Sequence, residues 1–180
     1  GGTFVEGYGG GVCQVSTALY NACLLSGLEI LEVHGHSLPV SYVEPSFDAM
    51  VNTGSSDLVI RNNTGGKIIF TTSSENDICK VKIFGLKNKF KITRFSEKTK
   101  IIPAEPDTIE TDLSKYPNVS IFPGEKYRLS YPKDGYYSNG YLNYYDKFGN
   151  LIQTKQIRKN SRYGPVKGIL ISNGNPSGKN

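Results

Sequence analysis

One stretch of this 180-residue chain reads as a helix, and almost nothing after it does. Within Val12 to Ser26, apolar residues recur at Val15, Ala18, Leu19, Ala22 and Cys23, the spacing of one buried helical stripe. Gly9-Gly10-Gly11 leads into the stripe, and Gly27 stands where a left-handed residue ends a helix. Leu28 to Val33 then reads as extended. Short strand-like runs follow at Leu38 to Val43, Leu58 to Arg61, Lys67 to Thr72, Ile78 to Gly85 and Phe90 to Phe95, with Asn62-Asn63-Thr64-Gly65-Gly66 as a hairpin signal between two of them. Residues 101–124 carry Pro103, Pro106, Pro117 and Pro123 and break the pattern. A later set comprises Tyr127 to Tyr131, Gly140 to Tyr145 and Leu151 to Lys159, the last two joined by a turn at Asp146 to Asn150.

The expected fold is therefore α+β and mostly β. One N-terminal amphipathic helix packs on an antiparallel sheet within residues 1–100, residues 101–124 form a Pro-rich linker, and 125–180 form a small all-β module. With 37% hydrophobic and 21% charged residues, the chain is neither disordered nor a coiled coil. The uncharged stretch Gly7 to Leu28 holds too many glycines and polar residues to span a membrane. No signal-peptide pattern opens the chain, so an export segment or membrane anchor is expected only from a stretch upstream of Gly1.

Charge is unevenly placed. Residues 1–60 carry six acids and no Lys or Arg, whereas all 21 basic residues lie beyond, eight of them between Lys80 and Lys100. A basic surface of this kind suits an anionic polymer. No nucleic-acid-binding pattern accompanies it, so nucleic acid is not an expected partner. The expected arrangement is an acidic groove around the site and a separate basic face.

Cys13, Cys23 and Cys79 show no CxxC spacing, and an odd number leaves at least one thiol free. Cys13 and Cys23 lie about 15 Å apart along one helix, beyond disulfide reach. Cys23 falls on the apolar stripe and reads as core. Cys13 stands at the helix start, where unpaired N–H groups and the positive dipole end favour a thiolate. The glycines before it permit left-handed backbone and close approach of substrate, and N–H groups from Gly11 to Gln14 are placed to form an oxyanion hole. The chain's two histidines, His34 and His36, share the segment Val33-His34-Gly35-His36-Ser37. On an extended segment they face one way, about 6.5 Å apart. A base meeting Cys13 must be one of them. The same set also offers three zinc ligands, but with a single well-placed thiol the spacing does not favour a metal over a Cys–His pair, and neither metal nor cofactor is expected.

Gly9-Gly10-Gly11-Val12-Cys13-Gln14-Val15-Ser16-Thr17, Leu19-Tyr20-Asn21-Ala22, Gly27-Leu28-Glu29-Ile30 and His36-Ser37-Leu38-Pro39-Val40-Ser41-Tyr42-Val43 closely resemble the VanW family of bacterial envelope proteins. The resemblance continues through Asp48-Ala49, where Ser46-Phe47 replaces the family's usual Gly-Arg, and reaches roughly residue 95. Tyr144-Tyr145-Asp146, Gly149-Asn150, Ser161-Arg162-Tyr163 and Pro165 are similar to a G5-type module. The resemblance implies an extracytoplasmic, cell-envelope location and an L,D-transpeptidase that joins peptidoglycan stem peptides in 3-3 cross-links. On that reading Cys13 is the nucleophile, His36 the base, His34 its helper and Asp48 ahead of Asp57 the orienting carboxylate. Gly10, Gly11, Gln14, Ser16 and Ser37 then line the oxyanion or substrate site, and anionic wall polymer is a further partner. The alternatives are a non-catalytic wall-binding module and a cysteine peptidase of NlpC/P60 type.

Overall fold

The computed structural model describes residues 11–76 and 78–174. Among these residues it is mostly β, with one α-helix and four small sheets. Helix α1 (Val12–Ser26) ends at Gly27, whose φ of 76° is the left-handed conformation and whose N–H caps the Cys23 and Leu24 carbonyls. Strand β1 (Glu29–Glu32) pairs antiparallel with β2 (Val59–Arg61). Strands β3 (Ile69–Glu75) and β4 (Ile78–Phe84) form a hairpin. On β4, Cys79, Val81 and Ile83 are half-buried while Ile78, Lys80, Lys82 and Phe84 alternate outward, as a strand with one covered face requires.

The largest sheet joins β5 (Lys91–Ile102), β8 (Gly135–Tyr145) and β9 (Leu151–Tyr163), all antiparallel in the order β5-β8-β9. Its β8–β9 turn is closed by Asp146, which accepts from the N–H groups of Phe148 and Asn150, as the turn residues predict. The last sheet has the order β6-β10-β7, from β6 (Thr108–Glu110), β7 (Lys126–Ser130) and β10 (Ile169–Ser172); β10 runs parallel to β6 and antiparallel to β7. Between β6 and β7 lies a short 3-10 turn at Leu113–Lys115.

Three sequence expectations change. Leu38 to Val43 is irregular rather than a strand. Asn62 to Gly66 is not a hairpin turn, since β2 pairs with β1 and β3 with β4; Asn62 instead folds the loop on itself, accepting from Thr64 N and donating to Gly66 O. The sheet also crosses the expected boundary at residue 100. β5 pairs with β8 from Lys91↔Tyr145 to Ile102↔Gly135, and β6 lies inside the segment read as linker. Pairing over 33 to 54 residues of separation leaves no local mark in β5.

The core gathers Tyr20 and Leu24 of α1, Phe47, Ala49, Ile92 of β5 and Leu142 of β8. Helix, loop and large sheet therefore share one apolar cluster. The charge asymmetry of the sequence resolves into pairs across the same seam: Glu44 with Arg94 at 2.7 Å and Asp48 with Arg158 at 3.7 Å, while Glu29 meets Arg61 at 3.3 Å. Much of the acidic first third is thus neutralised by basic residues that follow it, and the expected acidic groove is correspondingly reduced.

Candidate functional site

Residues 46–51 run between α1 and the histidine segment and hold both. On the helix side, Asn21 Nδ2 donates to Phe47 O at 2.8 Å, Ser16 Oγ to Ala49 O at 2.6 Å and Cys13 Sγ to Val51 O at 3.5 Å. Ala49 N donates in turn to Thr17 Oγ1 at 3.0 Å. On the other side, Met50 N donates to His34 O at 2.8 Å, and His36 meets Asp48. Thiol and imidazole segment are thereby fixed to opposite edges of one short run of backbone.

Asp48 is fully buried. Its Oδ2 accepts from His36 N at 2.6 Å and pairs with His36 Nδ1 at 2.8 Å, and its Oδ1 accepts from the Tyr163 hydroxyl at 2.6 Å. Arg158, with only 11% of its side chain exposed, reaches the Asp48 carbonyl with Nη2 at 2.9 Å and stands 3.7 Å from Oδ1. Burial alone pushes the Asp48 carboxyl up. The bonds from the His36 ring, the Tyr163 hydroxyl and the His36 N–H, with the Arg158 charge, outweigh it and hold the carboxyl below the usual range. The carboxylate makes Nδ1 the donor and leaves His36 Nε2 for a reacting group. A Cβ on Gly35 would lie 2.7 Å from Arg158 Nη1, so a larger residue there requires the guanidinium to shift.

His36 and Asp48 are thus brought together. Cys13 lies at the expected helix start, but no hydrogen bond joins its sulfur to either imidazole among the described residues; the sulfur rests on Val51 O. Gly10 lies outside the described residues. Gly11 is the residue before the helix, with φ −101°, so left-handed backbone is not required there; a Cβ on it would meet open space. The N–H of Gln14 is not free for an oxyanion, since it donates to Gly11 O at 3.1 Å. The N–H groups of Val12 and Cys13 have no partner among the described residues.

Ser16 holds Ala49 rather than lining an open site, because its hydroxyl is committed to backbone carbonyls. Ser37 is exposed and ties its carbonyl to Gly164 N at 2.7 Å. His34 turns outward to Glu32 at 2.8 Å, with 40% of its side chain exposed, and contributes its backbone to the site rather than its ring. Asp57 caps its own loop through Leu58 N and meets neither histidine. Tyr42, missed in the sequence as a site residue, sets its ring edge-on to His36 at 6.4 Å. Tyr163 and Arg158 were also missed, since they stand more than 100 residues away on a strand without Cys or His. Their only sequence mark was Tyr163 within the module-like motif.

Comparison with known proteins gives the following similarities. A family model described as VanW like protein matches residues 1–84. "Uncharacterized protein YoaR" of Bacillus subtilis (strain 168) is 41% identical over 68 residues, which is 38% of this chain and 22% of that protein. This chain therefore spans about a fifth of that relative. Among solved structures, "Crystal structure of HP0197-G5" aligns over 47% of this chain and 99% of its own, at 18% identity and a TM-score of 0.21. No helix among the described residues is long and apolar enough to cross a membrane. Residues 1–84, which hold Cys13, His36 and Asp48, are thus the part of this chain that is similar to VanW like protein.

Proposed function

We propose that the site is a cysteine acyl transferase acting on peptidoglycan stem peptides at the cell envelope, an L,D-transpeptidase. The observation that carries the reading is His36 Nδ1 held by the buried Asp48 carboxylate on the same run of backbone that anchors the Cys13 sulfur. Rotation of Cys13 about χ1, off Val51 O, frees the thiol, which gives its proton to His36 Nε2. The sulfur attacks the carbonyl carbon of the third, diamino-acid residue of a tetrapeptide. The C–S bond forms, the C–N bond breaks, and the leaving D-Ala amine takes a proton from His36 Nε2. Val12 and Cys13 N–H groups stabilise the oxyanion. A side-chain amine of a second stem then attacks the thioester, passes its proton to His36 and releases the thiolate. One amide replaces another, and no co-reactant is consumed.

Incubation with disaccharide-tetrapeptide, read by mass spectrometry, tests this. The expected product is a dimer lacking one D-Ala, absent with Cys13→Ala. Tripeptide alone marks a carboxypeptidase, and a stem cut elsewhere marks a peptidase. No product, with wall binding intact in Cys13→Ala, replaces catalysis by the wall-binding alternative.

A further inference from the structure

Tyr42 stands on the irregular segment between His36 and Ser46, where it meets both halves of the candidate site. Its ring sits edge-on to the His36 ring, with 6.4 Å between centroids and 81° between planes. It also lines a cavity of about 170 Å³ together with Gln14, Thr17 and Ala18 of α1. Thr17 lies four residues after Cys13, so the two side chains share one face of the helix, about 6 Å apart along its axis. Both lean on the same run of backbone, Cys13 on Val51 O and Thr17 on Ala49. A tyrosine set between His36 and Thr17 is therefore beside the thiol as well.

The Tyr42 hydroxyl keeps its proton there. Burial pushes it up from the ordinary tyrosine range, the Thr17 hydroxyl draws it down, and negative charge on Cys13 and Asp48 pushes it up again, for a net rise. At neutral pH it is thus an O–H donor next to a sulfur that must become negative. Tyr42 is 41% exposed, so its hydroxyl can turn without disturbing the core. The other groups nearby are unsuited to this part. Arg94 is paired with Glu44 at 2.7 Å and laid over the Phe47 ring at 4.7 Å. Cys79 of β4 brings only a weak S–H donor, and the Asp48 carboxylate is taken by His36 and Tyr163 and has the wrong sign.

We propose that Tyr42 is a further catalytic residue: once Cys13 turns off Val51 O, the Tyr42 hydroxyl donates a hydrogen bond to the sulfur and holds it as the thiolate, while the ring keeps the His36 imidazole in place. The thiol proton passes to His36 Nε2, Tyr42 keeps its own, and no covalent bond of the phenol is made or broken. A hydrogen bond to a charged acceptor is about twice as strong as one between neutral groups. The inference rests on the reading of Cys13 as the nucleophile.

Alkylation by iodoacetamide tests it without any transfer step. Tyr42→Phe keeps the ring against His36 and removes only the O–H, so the ratio of Cys13 labelling rates at pH 7 and pH 10 should fall about tenfold. In the cross-linking assay kcat should fall by a similar factor with KM little changed. A second measurement leaves Tyr42 as it is: in the Cys13→Ala protein the Tyr42 ζ-carbon, followed by NMR and assigned through its contact with His36, should titrate at lower pH than in the unaltered protein, because a negative neighbour is gone. An unchanged labelling ratio in folded Tyr42→Phe, or an unchanged Tyr42 titration in Cys13→Ala, overturns the role. Both readouts report on the thiolate alone. If they move as expected while the unaltered protein forms no cross-linked product, the acyl-transfer reading fails and the Tyr42 assignment stands; cross-linking with an unmoved labelling ratio means the reverse.

Discussion

Asp48 is the residue through which acid reaches both fold and site. Its folded carboxyl releases its proton more readily than an unfolded aspartate, because the bonds from His36 and Tyr163 and the Arg158 charge outweigh burial. The unfolded chain therefore binds more protons near the ordinary aspartate range of about 4, so the stabilisation is complete above that range and is lost as pH falls through it toward the folded value. Asp48→Asn should remove this acid dependence and cost about 3–5 kcal/mol at pH 7, since Arg158 stays buried without its charge partner. Urea unfolding of both proteins at pH 7 and near pH 4 measures it. Tyr163→Phe strips a donor from Asp48 and an acceptor from the buried Ser46 N–H; a loss of about 1–3 kcal/mol is expected by the same method. Cys23 gives the contrast to Cys13. It is fully buried, and burial pushes its thiol up to about 11. Iodoacetamide at neutral pH should thus modify Cys13 and spare Cys23 in the folded protein, which peptide mapping decides.

Among the elements, α1 was the most legible in extent, since Gly27 marks its end without help from the rest of the chain, but its buried face is Thr17, Tyr20, Cys23 and Leu24 rather than the expected stripe from Val15, which is exposed. The His36 segment was legible too, since histidine occurs nowhere else beyond His34. Residues 46–51 were not. They lack strand or helix periodicity, and their conformation is imposed from both sides. Ser46 illustrates this: its φ of 68° is left-handed, it is fully buried, and its hydroxyl meets Ser138 Oγ at 3.0 Å. A glycine, as the family resemblance has there, takes that conformation without strain. Gly140 of β8 lets the segment in, for a Cβ on it would lie 2.9 Å from Ser46 Cβ. Gly140→Ala should accordingly destabilise by about 1–3 kcal/mol through overpacking and slow the proposed reaction by displacing Asp48. Thermal denaturation beside the cross-linking assay separates the two effects.

For the whole molecule, the expected division into a catalytic part and an appended β unit meets the shared core of Tyr20, Phe47, Ile92 and Leu142. Sheet pairing at this separation has no local signature, which is why the boundary was misplaced while the strands themselves were mostly found. Calorimetry should show one cooperative transition, and removal of residues from 101 onward should abolish it rather than leave a folded first part. The exposed lysines of β4 and the following loop still offer a basic face. Sedimentation with wall material should fall steeply between about 0.05 and 0.5 M salt if that face binds anionic polymer, whereas labelling of Cys13 should change little. The order of the β6-β10-β7 sheet and the reach of Tyr163 and Arg158 to Asp48 also set a schedule. Synthesis delivers Cys13 and His36 first, yet the residues that lock Asp48 beneath His36 arrive more than 100 positions later, and the central strand β10 later still. A nascent chain therefore carries the thiol before it carries a rigidly held imidazole, and the site around Asp48 is complete only when nearly all of these residues have emerged.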